Sequence, residues 1–85
     1  MMRDFHFVFP LPNGMHARPA SHLEAVAARF SSAVHLHCLR NGNTADAHSV
    51  LALISADIRQ GDECLLQVDG DDEESAFHEI VRYLT

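Results

Sequence analysis

A histidine and an arginine two residues apart, His16 and Arg18, stand just before Pro19 in the stretch NGMHARPA at residues 13–20. Proline has no backbone N–H and suits only the first turn of a helix, so the apolar-periodic run that follows predicts a helix starting close to His16. The first N–H groups of a helix lack partners within it and, with the aligned peptide dipoles, form a ready anion site. Imidazole is a nucleophile as well as a base and can accept a phosphoryl group as a phosphoramidate. Such an adduct carries roughly −1.5 to −2 charges near neutral pH, by analogy with other phosphorylated side chains. The Arg18 guanidinium can donate two parallel hydrogen bonds to phosphate oxygens. Transient custody of phosphate is therefore the chemistry these residues suit. A short tripeptide does not establish it alone, because a histidine at a helix start can simply cap or face solvent.

The elements around the pair must then place it. Phe5, Phe7 and Phe9 alternate with His6 and Val8, which predicts a half-buried strand over residues 4–9, ended by Pro10 and the PNG turn signal. Ala20, Leu23, Val26, Ala27 and Phe30 form one face of the first helix, and Ser21, His22, Glu24 and Arg29 the other. Val34, Leu36 and Cys38 alternate as a second strand that runs into Asn41-Gly42, a dipeptide suited to a tight hairpin, and a short third strand is expected over 44–47. Ser49 can cap a short helix whose Val50, Leu51, Leu53 and Ile54 are apolar nearly all round, more than a solvent-facing surface needs. Cys64, Leu66 and Val68 read as a fourth strand. Asp71 or Asp72 then caps a last helix with Glu73 and Glu74 in its first turn and Ala76, Phe77, Ile80, Val81 and Leu84 as its buried stripe. The order βαββαβα implies an α+β domain of two layers, one sheet with helices on a single face.

Composition narrows the function classes. The 85 residues have room for one domain, 1–85. Net charge is −6, with six arginines and no lysine, so nucleic acid and acidic membranes are poor partners. No apolar run approaches the roughly 20 residues of a membrane span, and the N-terminus does not read as a secretory signal, so a cytoplasmic protein without membrane insertion is expected. Cys38 and Cys64 lie far apart within apolar runs with no CxxC pairing, which reads as buried reduced thiols and not as a disulfide or metal site.

The stretch GMHARPA at residues 14–20 closely resembles the active-site signature of HPr, the histidine-containing phosphocarrier of the bacterial sugar phosphotransferase system. Phe30 closing the first helix, the Asn41-Gly42 hairpin, Ser49 opening a short apolar helix, Gly61 and the GDDEESA stretch also have counterparts there, so the resemblance spans essentially the whole chain. It implies an open-faced β-sandwich, a four-stranded antiparallel sheet with three helices on one face. It further implies a monomeric cytoplasmic carrier, without a cofactor, that takes phosphate from enzyme I and passes it to the IIA domain of a sugar permease. On that resemblance His16 accepts the phosphoryl group through Nδ1 and Arg18 stabilises it. Met15, Ala17, Val50, Leu51, Ile54 and Ser55 then belong to the docking surface, and Ser49 is the residue that some members phosphorylate for regulation, although a helix-capping serine explains it sufficiently.

Departures from the pattern are visible too. His48 stands where the family usually has lysine, and the connection around Leu39 and Arg40 is two residues longer than usual. An acidic chain associates slowly with acidic partners, because long-range steering needs opposite fields. Tethering to an enzyme I-like domain in the same polypeptide, as in multiphosphoryl transfer proteins, would supply a high effective concentration instead, and the chain's end at Thr85, just past the last helix, is what an excised domain would show. His35 and His37 share a strand face and could meet His6 or His48 at a metal, but solvent-facing strand polarity is the simpler reading, so no metal site is assigned. The competing functions are a regulatory binding module that keeps the fold but has lost phosphate transfer, and a generic small ligand- or metal-carrying domain. The first would have marked itself by losing His16. The second would want a CxxC or glycine-rich phosphate loop, and the sequence has neither. As a carrier, the chain is a transfer intermediate rather than a turnover enzyme.

Overall fold

The computed structural model describes residues 2–85. Its elements are β1 (Arg3–Val8), α1 (Ala17–Ala27), β2 (Ala33–Cys38), β3 (Thr44–Asp46), α2 (Val50–Ser55), β4 (Glu63–Asp69) and α3 (Glu73–Leu84). The strands form one antiparallel sheet in the order β1-β4-β2-β3, so β4 enters between two strands that precede it in sequence. The period-two pattern sets which side faces the helices. Phe7, Leu66, Cys64, Val68, Leu36, Val34, Cys38 and Ala45 point into the core, while His6, Leu65, His37 and Thr44 form a row across the opposite face.

Leu23, Leu53, Ile80 and Leu84 cover the inner face from the helices, each almost wholly excluded from water. Side chains of that size contribute about 1.5–3 kcal/mol each on burial, which is why the apolar stripes, and not the modest intrinsic helicity of these short segments, fix the elements. The result is the open-faced α+β sandwich anticipated from the element order. Phe9 lies just past β1 but is wholly buried, and its N–H donates to the Asp62 carbonyl at 2.8 Å.

Two local expectations need correction. The Asn41-Gly42 connection is not a two-residue tight turn: residues 39–43 bridge β2 and β3, and Gly42 is the one of the pair with positive φ, +74°. The wider loop does structural work, because the Asn41 and Asn43 side-chain amides donate to the Ala56 carbonyl at 2.9 and 3.1 Å, satisfying the exposed end of α2. Asp72 occupies the N-cap position of α3, but its side chain makes no capping bond. Its carboxylate instead accepts from the Ser31 and Ser32 N–H groups, each at 2.9 Å, and from the Ser32 hydroxyl, tying the start of α3 to the entry of β2.

Candidate functional site

His16 is the N-cap of α1, with extended backbone (φ −101°, ψ −170°), an exposed ring and no capping bond from its side chain. Its carbonyl accepts the Ala20 N–H at 3.0 Å and its own N–H donates to the Gly14 carbonyl at 3.0 Å. Of the amides that a helix start leaves over, Pro19 has none to offer, so Ala17 and Arg18 supply the pair that points out of the first turn beside the imidazole. Among the described residues the Arg18 guanidinium has no hydrogen-bond or ion-pair partner. The other arginines are engaged: Arg3 with Glu74, Arg40 with Asp62 and Asp57, Arg59 with Asp57, and Arg29 and Arg82 near Glu79 at 3.9 and 3.7 Å. Arg18 is thus free to meet an anion.

The segment that delivers His16 is fastened from behind. Met15 donates its N–H to the Ile58 carbonyl at 2.8 Å, and Gly14, at φ +72°, packs so closely that a Cβ there would sit 2.5 Å from the Ile58 oxygen. Residues 57–62 are themselves held by Asp62. Its carboxylate accepts from Arg40 Nε and from the Arg59 N–H, both at 2.9 Å, and from Cys38 Sγ at 3.4 Å. The Arg40 hydrogen bond, followed by the Arg59 amide, keeps the Asp62 carboxyl below the usual carboxylate range. Asp57 adopts a left-handed conformation (φ +54°) just past α2, where glycine is usual, and accepts from Arg59 at 3.1 Å.

In front of the imidazole lies an open depression of about 270 Å³, bounded by Leu11, Pro12, Asn13, His16, Arg18, Pro19 and Tyr83. Tyr83 was not singled out by sequence reasoning. It reaches the site from α3 and is held by the His22 ring, stacked on it at 4.2 Å with planes 7° apart. Burial pushes its hydroxyl above the ordinary tyrosine range. The available signal was its place one turn after Ile80, at the edge of the buried stripe.

The apolar residues around the site divide sharply. Leu51 is 77% exposed and Ile54 39%, Ser55 and Ala17 are exposed, and Val50 is half-buried, so these share the outer side of α2 and the start of α1. Leu53 is the core residue of α2. Met15, expected on the docking surface, is only 5% exposed and joins the core cluster, because the backbone bond to Ile58 turns its side chain inward. Ser49 caps α2, its Oγ accepting the Ala52 N–H at 3.1 Å. His48 sits beside it, bonding the Ala27 carbonyl through Nε2 at 3.0 Å and contacting Asp46. The strand histidines lie elsewhere: His37 is held between Thr44 and Gln67 on the open face, at 2.8 and 2.6 Å. Among the described residues no three His, Cys, Asp or Glu side chains converge as a metal site would require, and no helix is long and apolar enough to cross a membrane.

Comparison with known proteins supplies an independent constraint. Residues 4–85 match the family described as the PTS HPr component phosphorylation site. Multiphosphoryl transfer protein 2 of Escherichia coli (strain K12) is 45% identical over 78 residues, which cover 92% of this chain but only 9% of that protein. The phosphocarrier protein HPr of Lysinibacillus sphaericus is 36% identical over 84 residues, covering 99% of this chain and 93% of that one. The crystal structure of a phosphocarrier protein HPr from Bacillus anthracis str. Ames superposes with a TM-score of 0.87 at 27% identity, covering 99% and 98% of the two chains.

Proposed function

Since the chain belongs to the HPr family of the phosphotransferase system, we propose that it is a phosphocarrier whose acceptor is His16. The observation that carries the reading is the exposed imidazole at the N-cap of α1, with the Ala17 and Arg18 amides beside it and an Arg18 guanidinium that has no partner among the described residues. In the transfer, the lone pair of the unprotonated ring nitrogen, Nδ1 in the family, attacks phosphorus as the bond to the donor breaks. The other ring nitrogen keeps its proton, and the phosphoryl oxygens settle against the amides and the guanidinium. The amides are fixed by the helix before the group arrives, so they need little reorganisation as charge moves, and the Arg18 side chain closes on the phosphoryl oxygens. The outward residues of α2, Leu51 and Ile54 with Val50 and Ser55, offer an apolar surface that would exclude water while a partner is docked. That matters because water is the competing acceptor.

The donor is enzyme I, or an enzyme I-like domain, and the acceptor is a IIA domain of a sugar permease. The 45% identity to a multiphosphoryl transfer protein, of which this chain's length matches only 9%, supports a tethered donor. Tethering would also relieve an acidic chain of the need for charge steering.

Incubation with phosphoenolpyruvate and a purified enzyme I tests this. One phosphoryl group per chain should appear as an acid-labile, base-stable adduct, absent in His16→Ala and formed more slowly in Arg18→Ala with unchanged thermal stability. Stoichiometric labelling of His16→Ala would remove the assignment, and a wild-type chain that binds enzyme I without labelling would make the domain a binding module instead.

A further inference from the structure

Cys38 and Cys64 stand directly opposite one another on β2 and β4. Cys38 donates its N–H to Asn43 at 2.8 Å and its carbonyl accepts from Gly42 at 2.9 Å, both on the β3 side, while the next residue, Leu39, bonds the Glu63 carbonyl at 2.9 Å. The two cysteines are therefore a non-hydrogen-bonded pair, the arrangement in which opposite side chains come nearest. Such pairs typically have a Cα separation of about 4.5 Å, inside the window of about 4.4–6.8 Å that a disulfide needs. Both side chains leave the sheet on the core face, and both sulfurs turn to one residue: Cys38 Sγ to Asp62 Oδ2 at 3.4 Å and Cys64 Sγ to the Asp62 carbonyl at 3.6 Å. Both are free thiols in this structure.

We propose that Cys38 and Cys64 form a covalent modification site, closing to an intramolecular cross-strand disulfide when the protein meets a peroxide-class oxidant. Burial pushes the Cys64 thiol up to about 12; the same disulfide results whichever sulfur reacts first, and in one order the first attack falls to Cys38. Its thiolate takes the terminal oxygen of the peroxide, the O–O bond breaks, and the departing hydroxide or alkoxide picks up a proton, leaving a sulfenic acid. The Cys64 sulfur then attacks the Cys38 sulfur, its proton leaves with the displaced hydroxide as water, and the S–S bond forms. Two thiols lose two electrons and two protons, and the peroxide gains them. Local opening of the strand end beside residues 39–43 admits the oxidant, since Cys38 and Cys64 are 1% and 0% exposed in the closed fold.

The bond would close a loop over residues 39–63. That segment carries β3, the docking helix α2 and the Ile58 carbonyl that fastens Met15 behind His16. Oxidation would therefore brace the surroundings of the site while leaving His16 and Arg18 untouched.

An equilibrium measurement tests the geometry without depending on access. The protein is equilibrated in glutathione redox buffers, once folded and once unfolded in urea, and the oxidised fraction is read by intact mass as the loss of two hydrogens. The closing constant should be larger in the folded protein by roughly 30-fold or more, the ratio by which a well-fitting cross-link of this loop length stabilises a fold. Peptide mapping should place the bond at Cys38–Cys64, and peroxide should give the same product, absent from Cys38→Ala and Cys64→Ala. A ratio of one or less would overturn the proposal, as would peroxide products confined to sulfinic acids or intermolecular dimers.

Discussion

Gly14→Ala tests how His16 is held. Gly14 has φ +72°, a left-handed conformation that costs an alanine about 1–2 kcal/mol. The new methyl would also lie 2.5 Å from the Ile58 carbonyl oxygen and 3.2 Å from the Arg59 Cα, both backbone atoms that cannot swing aside like a flexible side chain. Relieving that clash moves residues 14–15 away from 58 and lengthens the Met15-to-Ile58 hydrogen bond, now 2.8 Å, leaving a buried amide unsatisfied at a cost of about 1–3 kcal/mol. The combined loss is about 3 kcal/mol, or a fall in Tm of roughly 15 °C for a chain of this size. Gly42→Ala is the control: its φ is +74°, but a Cβ there meets nothing within 4 Å, so only the conformational cost applies. Calorimetry on both variants gives the difference, and phosphoryl uptake from charged enzyme I shows whether His16 has shifted, with Gly14→Ala slowed and Gly42→Ala unaffected. If the two variants melt together and transfer alike, the close approach of the loop to Ile58 is not what positions the histidine.

Further outcomes follow from the same structure. Ser49→Ala removes the hydroxyl that accepts the Ala52 N–H, and loss of that cap should lower stability by about 1 kcal/mol in urea titrations; an unchanged midpoint would mean that α2 is held by Leu53 and the 39–43 loop alone. Leu51→Glu, at a side chain 77% exposed, should leave unfolding within about 0.5 kcal/mol of wild type yet weaken enzyme I binding in calorimetric titration. Leu53→Ala should do the reverse, costing about 2–5 kcal/mol of stability. The acid limb of stability comes from lowered carboxyls: Asp62 through Arg40 and the Arg59 amide, Asp72 through the Ser32 hydroxyl and the Ser31 amide, Asp46 through the His48 amide. A folded value below the unfolded one of about 3.9 means full contribution above that pH and loss as pH falls through the folded value. Urea midpoints should hold from neutrality to about pH 5 and decline below about pH 4, with a shallower decline in Asp62→Asn; an identical slope in that variant would exclude Asp62 as a contributor.

Most of the architecture was legible because burial writes a period into the chain. The alternation through Phe5, Phe7 and Phe9, or Cys64, Leu66 and Val68, survives any choice of strand order, and the stripe of Leu23 and Ala27 needs only a helix to be seen. What escaped was long-range pairing. Asp72 reads as a helix cap, yet its carboxylate is committed to Ser32, 40 residues earlier. Met15, between Gly14 and His16, has no periodic partner that would mark it as core; a backbone bond to Ile58 decides its direction. Tyr83 and His16 lie at opposite ends of the chain, and only the packing of α3 beside α1 brings them to one depression. His16 and Arg18 were legible for the opposite reason: the helix start, the proline and both side chains sit within a few consecutive residues.

The charge distribution explains how an acidic chain can offer an anion site at all. With a net charge of −6, an unstructured average would repel phosphate from every surface. Asp57 and Asp62 belong to the 57–62 segment whose Ile58 carbonyl holds Met15, and both are matched by Arg40 or Arg59 at short range. Their fields therefore largely cancel over the distance to His16, since an ion pair's potential falls off faster than a single charge's and salt screens the remainder within about 10 Å. What remains local to the imidazole is the positive end of α1 and the uncancelled Arg18. Arg40 and Arg59 thus act on the site without touching it, which is why neutralising either should slow phosphoryl uptake in low salt and lose that effect as salt is raised, whereas Arg18→Ala should slow it at every ionic strength.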